Sequence, residues 1–302
     1  MLPKAKTDQV ERVEPPNRDT FYKNYVLPNR PVVISEAINE WKALSSWSVD
    51  YFKSIAGNTN IPVEVSSNRV FPPVHVQLYE RAVYRIEIMT FGQYIDKITS
   101  ENLVAEGYYF AQQPVDVLFP QLMNDIKPPN YFKEKSLIST NLWFAGEGNI
   151  TPMHYDLVHN LYAQVIGRKR FILFAPEQTK LLYPFPKTSR IAHFSRVNLD
   201  DPDLVNFPRF QHARPLECIV EPGDILFIPT FWWHQVYSLN VAVSISFWSR
   251  PGWSKNLNPA ALRLYFSSVV LLIRRLKSRM KSRNKGLPSI SEDLMDYLTG
   301  RI

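Results

Sequence analysis

Between residues 108 and 248 the chain is cut into short runs rich in β-branched and aromatic residues, separated by Pro, Gly, Asn and Asp. Runs of this length, closed by turn residues, pair as the antiparallel strands of a sandwich or barrel. They cover 108–111, 141–144, 161–166, 170–174, 218–220, 225–228 and 241–248. In the last run Val241, Val243, Ile245 and Phe247 share one face and Ala242, Ser244, Ser246 and Trp248 the other, which predicts a half-buried strand. Composition agrees, since 13% aromatic residues and 24 prolines against 10 glycines favour a strand-rich fold with Pro-marked corners over a helical bundle. Neither GxxxxGK[ST] nor GxGxxG occurs, which removes the common phosphate loops.

With 302 residues, 45% of them apolar, the chain can bury a sizeable core, and disorder throughout is excluded. The organisation expected is one mainly β domain over 21–258, preceded by a flexible polar arm (1–20) and followed by a helical extension (259–302). In the first third, 21–25, 38–44 and 49–55 read as short helices around a strand at 31–34, with Ser48 placed to cap the third helix. A strand at 61–65 and a helix over 89–98, with Thr90 near its start, follow. After Pro259, Leu262, Tyr265, Phe266, Val269, Leu272, Ile273, Leu276 and Met280 recur at three- and four-residue steps. That apolar helix face is expected to pack on the domain or to form a homodimer, and the apolar stretch is too short to span a bilayer.

The net charge of +7 has a local source, because 274–285 carries seven of the 35 Lys and Arg and no acid. Without those seven, 28 basic residues face 28 acidic ones. An RNA contact would therefore rest on that C-terminal segment and not on a basic globular face. The single cysteine, Cys218, forms no intrachain disulfide and reads as a small buried hydrophobe. With no apolar leader, a reducing intracellular compartment is expected, cytoplasmic or, in a eukaryote, nuclear.

Chemistry concentrates in two segments. In TPMHYD, His154 and Asp156 stand two apart, a spacing that puts both side chains on one face of a strand. In IPTFWWHQV, His234 follows a strand expected over 223–229. Two histidines and a carboxylate on one face of a metal, with open positions opposite, are the donor set of non-haem Fe(II) oxygenases. Trp232 and Trp233 beside the second histidine read mainly as packing residues. His75, His159, His193 and His212 read as surface or hydrogen-bonded histidines.

GNITPMHYDLVHNLYAQVIG resembles the first cupin motif and GDILFIPTFWWH the second. The longer stretches HYDLVHNLYAQVIGRKRFILFAPEQTKLLYP, NLDDPDLVNFPRFQHARPLECIVEPGDILFIP and SISFWS resemble the Jumonji C hydroxylases, among them the asparaginyl hydroxylase of the hypoxia response. The similarity runs over roughly residues 20 to 250. It implies a double-stranded β-helix, a jelly-roll fold, that carries an Fe(II)- and 2-oxoglutarate-dependent dioxygenase. His154, Asp156 and His234 match the iron ligands. Lys169 matches the cation for the far carboxylate of 2-oxoglutarate, Thr151 and Tyr109 its hydroxyl donors, Asn160 a polar neighbour and Trp248 an aromatic wall. The reaction implied consumes O2, releases succinate and CO2 and hydroxylates a protein or peptide side chain. Alternatives are the same chemistry on a tRNA base or small metabolite, and a non-catalytic cupin binding module. The chain departs from the asparaginyl hydroxylase by carrying Ser246 where that enzyme has Asn before its Phe-Trp pair, which argues against asparagine as target. With one cysteine it has no cysteine zinc site.

Overall fold

The computed structural model describes residues 8–71, 84–100, 106–187, 189 and 191–251. Fourteen strands lie among them: β1 (Asp8–Gln9), β2 (Arg12–Val13), β3 (Val32–Ile34), β4 (Asn60–Ser66), β5 (Tyr84–Thr90), β6 (Gly107–Pro114) and β7 (Leu137–Ala145) in the first half. The second half supplies β8 (Ile150–Tyr155), β9 (His159–Ile166), β10 (Lys169–Phe174), β11 (Leu216–Val220), β12 (Ile225–Ile228), β13 (Trp233–Ser238) and β14 (Ala242–Ser249). They form a five-stranded sheet, β1-β11-β10-β13-β8, and a nine-stranded sheet, β2-β3-β12-β9-β14-β7-β6-β4-β5. Apart from β1 with β11 and β2 with β3, the named pairs are antiparallel. The two sheets face each other, as the jelly-roll expectation requires. Between them Tyr162, Leu226 and Ile228 of the larger sheet meet Phe171, Leu173, Val220 and Val236 of the smaller one.

Alternation along β10 shows how the layers arise. Phe171 and Leu173 point between the sheets, whereas Ile172 and Phe174 enter a second cluster with Leu182, Val197 and Phe210 from the segment after β10. The larger sheet is covered in the same way. Val243, Ile245 and Phe247 of β14 join a cluster with Phe52 of α3 (Val49–Ala56) and with Phe91 and Tyr94 of α4 (Phe91–Thr99), the third and fourth helices after α1 (Arg18–Phe21) and α2 (Lys42–Ser46). Every residue of β14 is therefore buried, and the half-buried strand expected there is corrected. Its outer face is roofed by helices and its inner face, Ser244, Ser246 and Trp248, belongs to the space between the sheets.

Local signals hold where they are made of backbone hydrogen bonds. Ser48 accepts from the Tyr51 amide at the start of α3, and Thr90 forms a capping box with Gln93 at the start of α4. The helix expected at 38–44 begins later, at Lys42, after a turn. The flexible arm is corrected over 8–13, where β1 and β2 pair with β11 and β3, and Arg12 bonds Asp224 at 2.8 Å. The extension 259–302, its basic segment and its dimer face, together with His75, lie outside the described residues.

Candidate metal and co-substrate site

Three side chains converge at one end of the space between the sheets. β8 carries His154, β13 carries His234, and the two are direct cross-strand partners. Asp156 stands just beyond the end of β8. Its carbonyl accepts the Phe231 amide at 2.9 Å, which ties the loop bearing the carboxylate to the turn that leads into β13. Phe231 takes a φ of 65°, so this turn holds a non-glycine residue in the left-handed region next to the site. His234 is thus the second residue of its own strand, not the end of the preceding one, as the sequence reading placed it.

Hydrogen bonding fixes which nitrogen of each ring is available. His154 Nδ1 lies 2.8 Å from the Pro152 carbonyl, and His234 Nδ1 lies 3.0 Å from the Trp232 carbonyl. A carbonyl only accepts, so both Nδ1 atoms carry the hydrogen, and Nε2 is the nitrogen of each ring that is left to face a ligand. Those Nε2 atoms sit 3.9 and 3.8 Å from the two carboxylate oxygens of Asp156. Burial, reinforced by the neighbouring His154, holds His234 neutral by pulling its pKa well below the ordinary value. Burial also raises the Asp156 carboxyl, against the opposing pull of His154 and His193. Three ligand atoms therefore lie within 4.8 Å of one another, an Nε2 from each imidazole and a carboxylate oxygen. Such an acceptor set is satisfied by a cation.

The triad opens into a cavity of about 430 Å³ whose wall includes Tyr109, Thr151, Asn160, Tyr162 and Trp248. Asn160 and Trp248 are cross-strand partners on β9 and β14. Asn160 Oδ1 and Trp248 Nε1 are both buried without a hydrogen-bond partner. An unmet acceptor and an unmet donor side by side in a cavity wall fit a polar ligand, because each costs about 1–3 kcal/mol if left unpaired. Lys169 is 1% exposed. Gly167, at φ 68°, makes the turn from β9 into β10, where a side chain would collide with the Val241 carbonyl, and the strand that follows carries Lys169 inward. Lys169 Nζ stands 3.4 Å from the Tyr109 hydroxyl and 5.5 Å from the centres of the Tyr109 and Tyr162 rings. It lies one side chain behind the cavity surface. The Thr151 hydroxyl faces the Tyr109 phenol. All eight side chains singled out in the sequence thus gather in or directly behind this cavity.

Sequence reasoning missed part of the wall. Trp143 lines it, and its indole N–H donates to Ser246 Oγ at 2.8 Å. Ser246 therefore acts on the cavity through Trp143. Gln112 and Gln113 enter the wall at a register break between β6 and β7, with Gln112 at φ 52°. His193, read as a surface or satisfied histidine, lines the cavity, and Phe194 stacks on the His154 ring at 5.1 Å. The inward side of Trp143 was legible from the alternation of NLWFA. The bulge and the return of 193–194 beside β8 carry no local signal. Trp232 and Trp233 pack as expected, their indoles donating to the Asn29 carbonyl and to Thr179 Oγ1.

The chain matches the model of the Cupin-like domain over residues 18–254. Over 243 residues it is 34% identical to lysine-specific demethylase 8 of Xenopus tropicalis, covering 79% of this chain and 52% of that protein. Over 251 residues it is 32% identical to JmjC domain-containing protein D of Dictyostelium discoideum, covering 76% and 54%. Over 255 residues it is 31% identical to tRNA wybutosine-synthesizing protein 5 of Homo sapiens, covering 79% and 77%. The chain spans about half the length of the first two relatives and most of the third. It belongs to the cupin-like JmjC family.

Proposed function

We propose that the chain is an Fe(II)- and 2-oxoglutarate-dependent oxygenase that hydroxylates a side chain of a protein or peptide, with release of succinate and CO2. The observation that carries this reading is the convergence of two Nε2 atoms and one carboxylate in the wall of a cavity with unmet polar groups. His154, Asp156 and His234 hold the metal on one face and leave the other open. Bound there, Fe(II) would activate O2, and 2-oxoglutarate, oxidised to succinate and CO2, would supply two of the electrons that reduction of O2 needs, so that the second oxygen atom can hydroxylate a carbon–hydrogen bond. Lys169, with Tyr109 and Thr151 in front of it, receives the far carboxylate, and Asn160 and Trp248 offer an acceptor and a donor to polar groups beside it. Phe194, stacked on the His154 ring, and Trp143 give the cavity apolar walls that would help to exclude water from it. A binding module without chemistry would be expected to have lost one of these groups, and this chain keeps them all.

A protein substrate is favoured by charge. Outside 274–285 basic and acidic residues balance, so the body offers no net attraction to a polyanion. The second reading, a modified tRNA base as substrate, draws on the relative named for wybutosine synthesis, of which the chain covers 77%. Incubating the Fe(II)-loaded protein with 2-oxoglutarate and O2, separately with protein and with RNA fractions, decides between them. Succinate stimulated by the protein fraction, with a peptide gaining one oxygen by mass, is the expected outcome. Stimulation by RNA alone moves the assignment to the second reading. Succinate formation in neither, above the level of an Asp156→Asn control, overturns the oxygenase.

A further inference from the structure

Lys169 is the only buried lysine or arginine among the described residues. No carboxylate among those residues pairs with it. The elements around it present two phenols, Tyr109 from β6 and Tyr162 from β9. Across the backbone, β11 places Val220 and β13 places Ser238 opposite it, while β8 contributes the uncharged Thr151 beside Tyr109. Glu64 of β4 lines the cavity and acts on the Tyr109 phenol. An ammonium so placed loses its hydration and gains only one long hydrogen bond to a hydroxyl and the faces of two rings.

We propose that above neutral pH Lys169 is held largely neutral in the ligand-free protein and captures a proton from solvent when a ligand carboxylate arrives, so that a dicarboxylate 2-oxo acid binds together with a proton. This rests on the reading of Lys169 as the cation for the co-substrate. Burial alone pulls the amine down to about 7. A carboxylate delivered beside it restores the charged form, because the ion pair offsets the desolvation that an isolated ammonium cannot. No covalent step is involved. The proton comes from water, resides on Nζ while the acid is bound, and leaves with it.

The consequence is a linkage between pH and affinity that a permanently charged cation does not produce. A base with a pKa of about 7 is about 0.9 neutral one unit above it, so binding at pH 8 takes up about 0.9 proton, and binding at pH 6 about 0.1. The affinity for 2-oxoglutarate falls about fivefold between pH 7 and 8 and by close to tenfold per pH unit above that. Calorimetric titration of the Fe(II)-loaded protein without O2, in two buffers of different ionisation enthalpy, measures this uptake directly. 2-Oxobutyrate, which keeps the metal-chelating end and lacks the far carboxylate, is the control. Uptake near one proton for 2-oxoglutarate and near zero for 2-oxobutyrate at pH 8, with both near zero at pH 6, is expected. If 2-oxoglutarate binds more tightly than 2-oxobutyrate but the two take up the same number of protons at pH 8, proton capture is overturned and the assignment of Lys169 stands. If 2-oxoglutarate binds no more tightly than 2-oxobutyrate at any pH, the assignment itself fails.

Discussion

Asp156→Asn is expected to abolish Fe(II) binding at concentrations that saturate the natural protein while leaving the metal-free fold at least as stable. The Asp156 carboxylate oxygens face Nε2 of His154 at 3.9 Å and Nε2 of His234 at 3.8 Å, and the three ligand atoms lie within 4.8 Å of one another. In metal-free protein burial works against the charged carboxylate and is only partly offset by His154 and His193, so the charge costs folding free energy. An amide of the same shape removes the charge and brings a donor to face one of the Nε2 lone pairs, so stability holds or rises. Metal binding moves the other way. Loss of a group that only supports a ligand typically costs about 10–100-fold in metal affinity, and loss of a ligand costs more. At a metal concentration about 100-fold above its dissociation constant, the natural protein gains about 2.7 kcal/mol, or roughly 5–10 °C in melting temperature. The variant is expected to show no shift. A variant that melts far below the metal-free natural protein would mean that Asp156 serves the fold, and an unchanged metal-induced shift would remove it from the ligand set.

Lys169→Met is expected to weaken 2-oxoglutarate binding roughly 10- to 100-fold at pH 7, the size of a lost charge-assisted hydrogen bond of about 1.5–3 kcal/mol. Its effect on the ligand-free protein has the opposite sign. A lysine whose pKa is lowered on folding to about 7 binds its proton less well in the folded than in the unfolded chain. The resulting penalty is fully present below pH 7 and fades as pH rises from there towards the ordinary lysine value. Methionine carries no such penalty and fills similar space. The variant is therefore expected to unfold at higher denaturant concentration than the natural protein at pH 6–7, with the difference shrinking by pH 10. Equilibrium unfolding across that range, beside binding isotherms for 2-oxoglutarate, checks both halves. Equal loss of stability at every pH would show a packing role instead.

Part of the candidate site was legible because His154 and Asp156 stand on or next to a strand whose alternation the sequence displays. The placement of His154 and Asp156 on one face follows from a period of two, whereas Lys169, Asn160 and Trp248 were picked out by the resemblance to the Jumonji C hydroxylases and not by alternation. The placement of His234 illustrates the limit. The strand at 225–228 was readable from its apolar run, but β13 starts after four intervening residues, in WWHQVYS, where aromatic and polar residues mix. β5 was missed because RIEIM precedes a helix and its Ile86 and Ile88 are exposed, so it lacked a core-facing pattern. The covering of β14 on both faces was misread for a different reason. Serine on its inner side looks like a solvent face in sequence, whereas Ser244 and Ser246 are fully buried and bonded to Gln164 and Trp143. Side-chain hydrogen bonds between distant strands leave no trace in local composition.

The most direct test of the account is a visible titration of the Fe(II)-loaded protein with 2-oxoglutarate in the absence of O2. The account requires a charge-transfer band that rises to saturation at one 2-oxoglutarate per chain, is absent in His154→Ala, and needs far more 2-oxoglutarate in Lys169→Ala. A folded, Fe(II)-loaded protein that shows no band at any concentration of 2-oxoglutarate would contradict it.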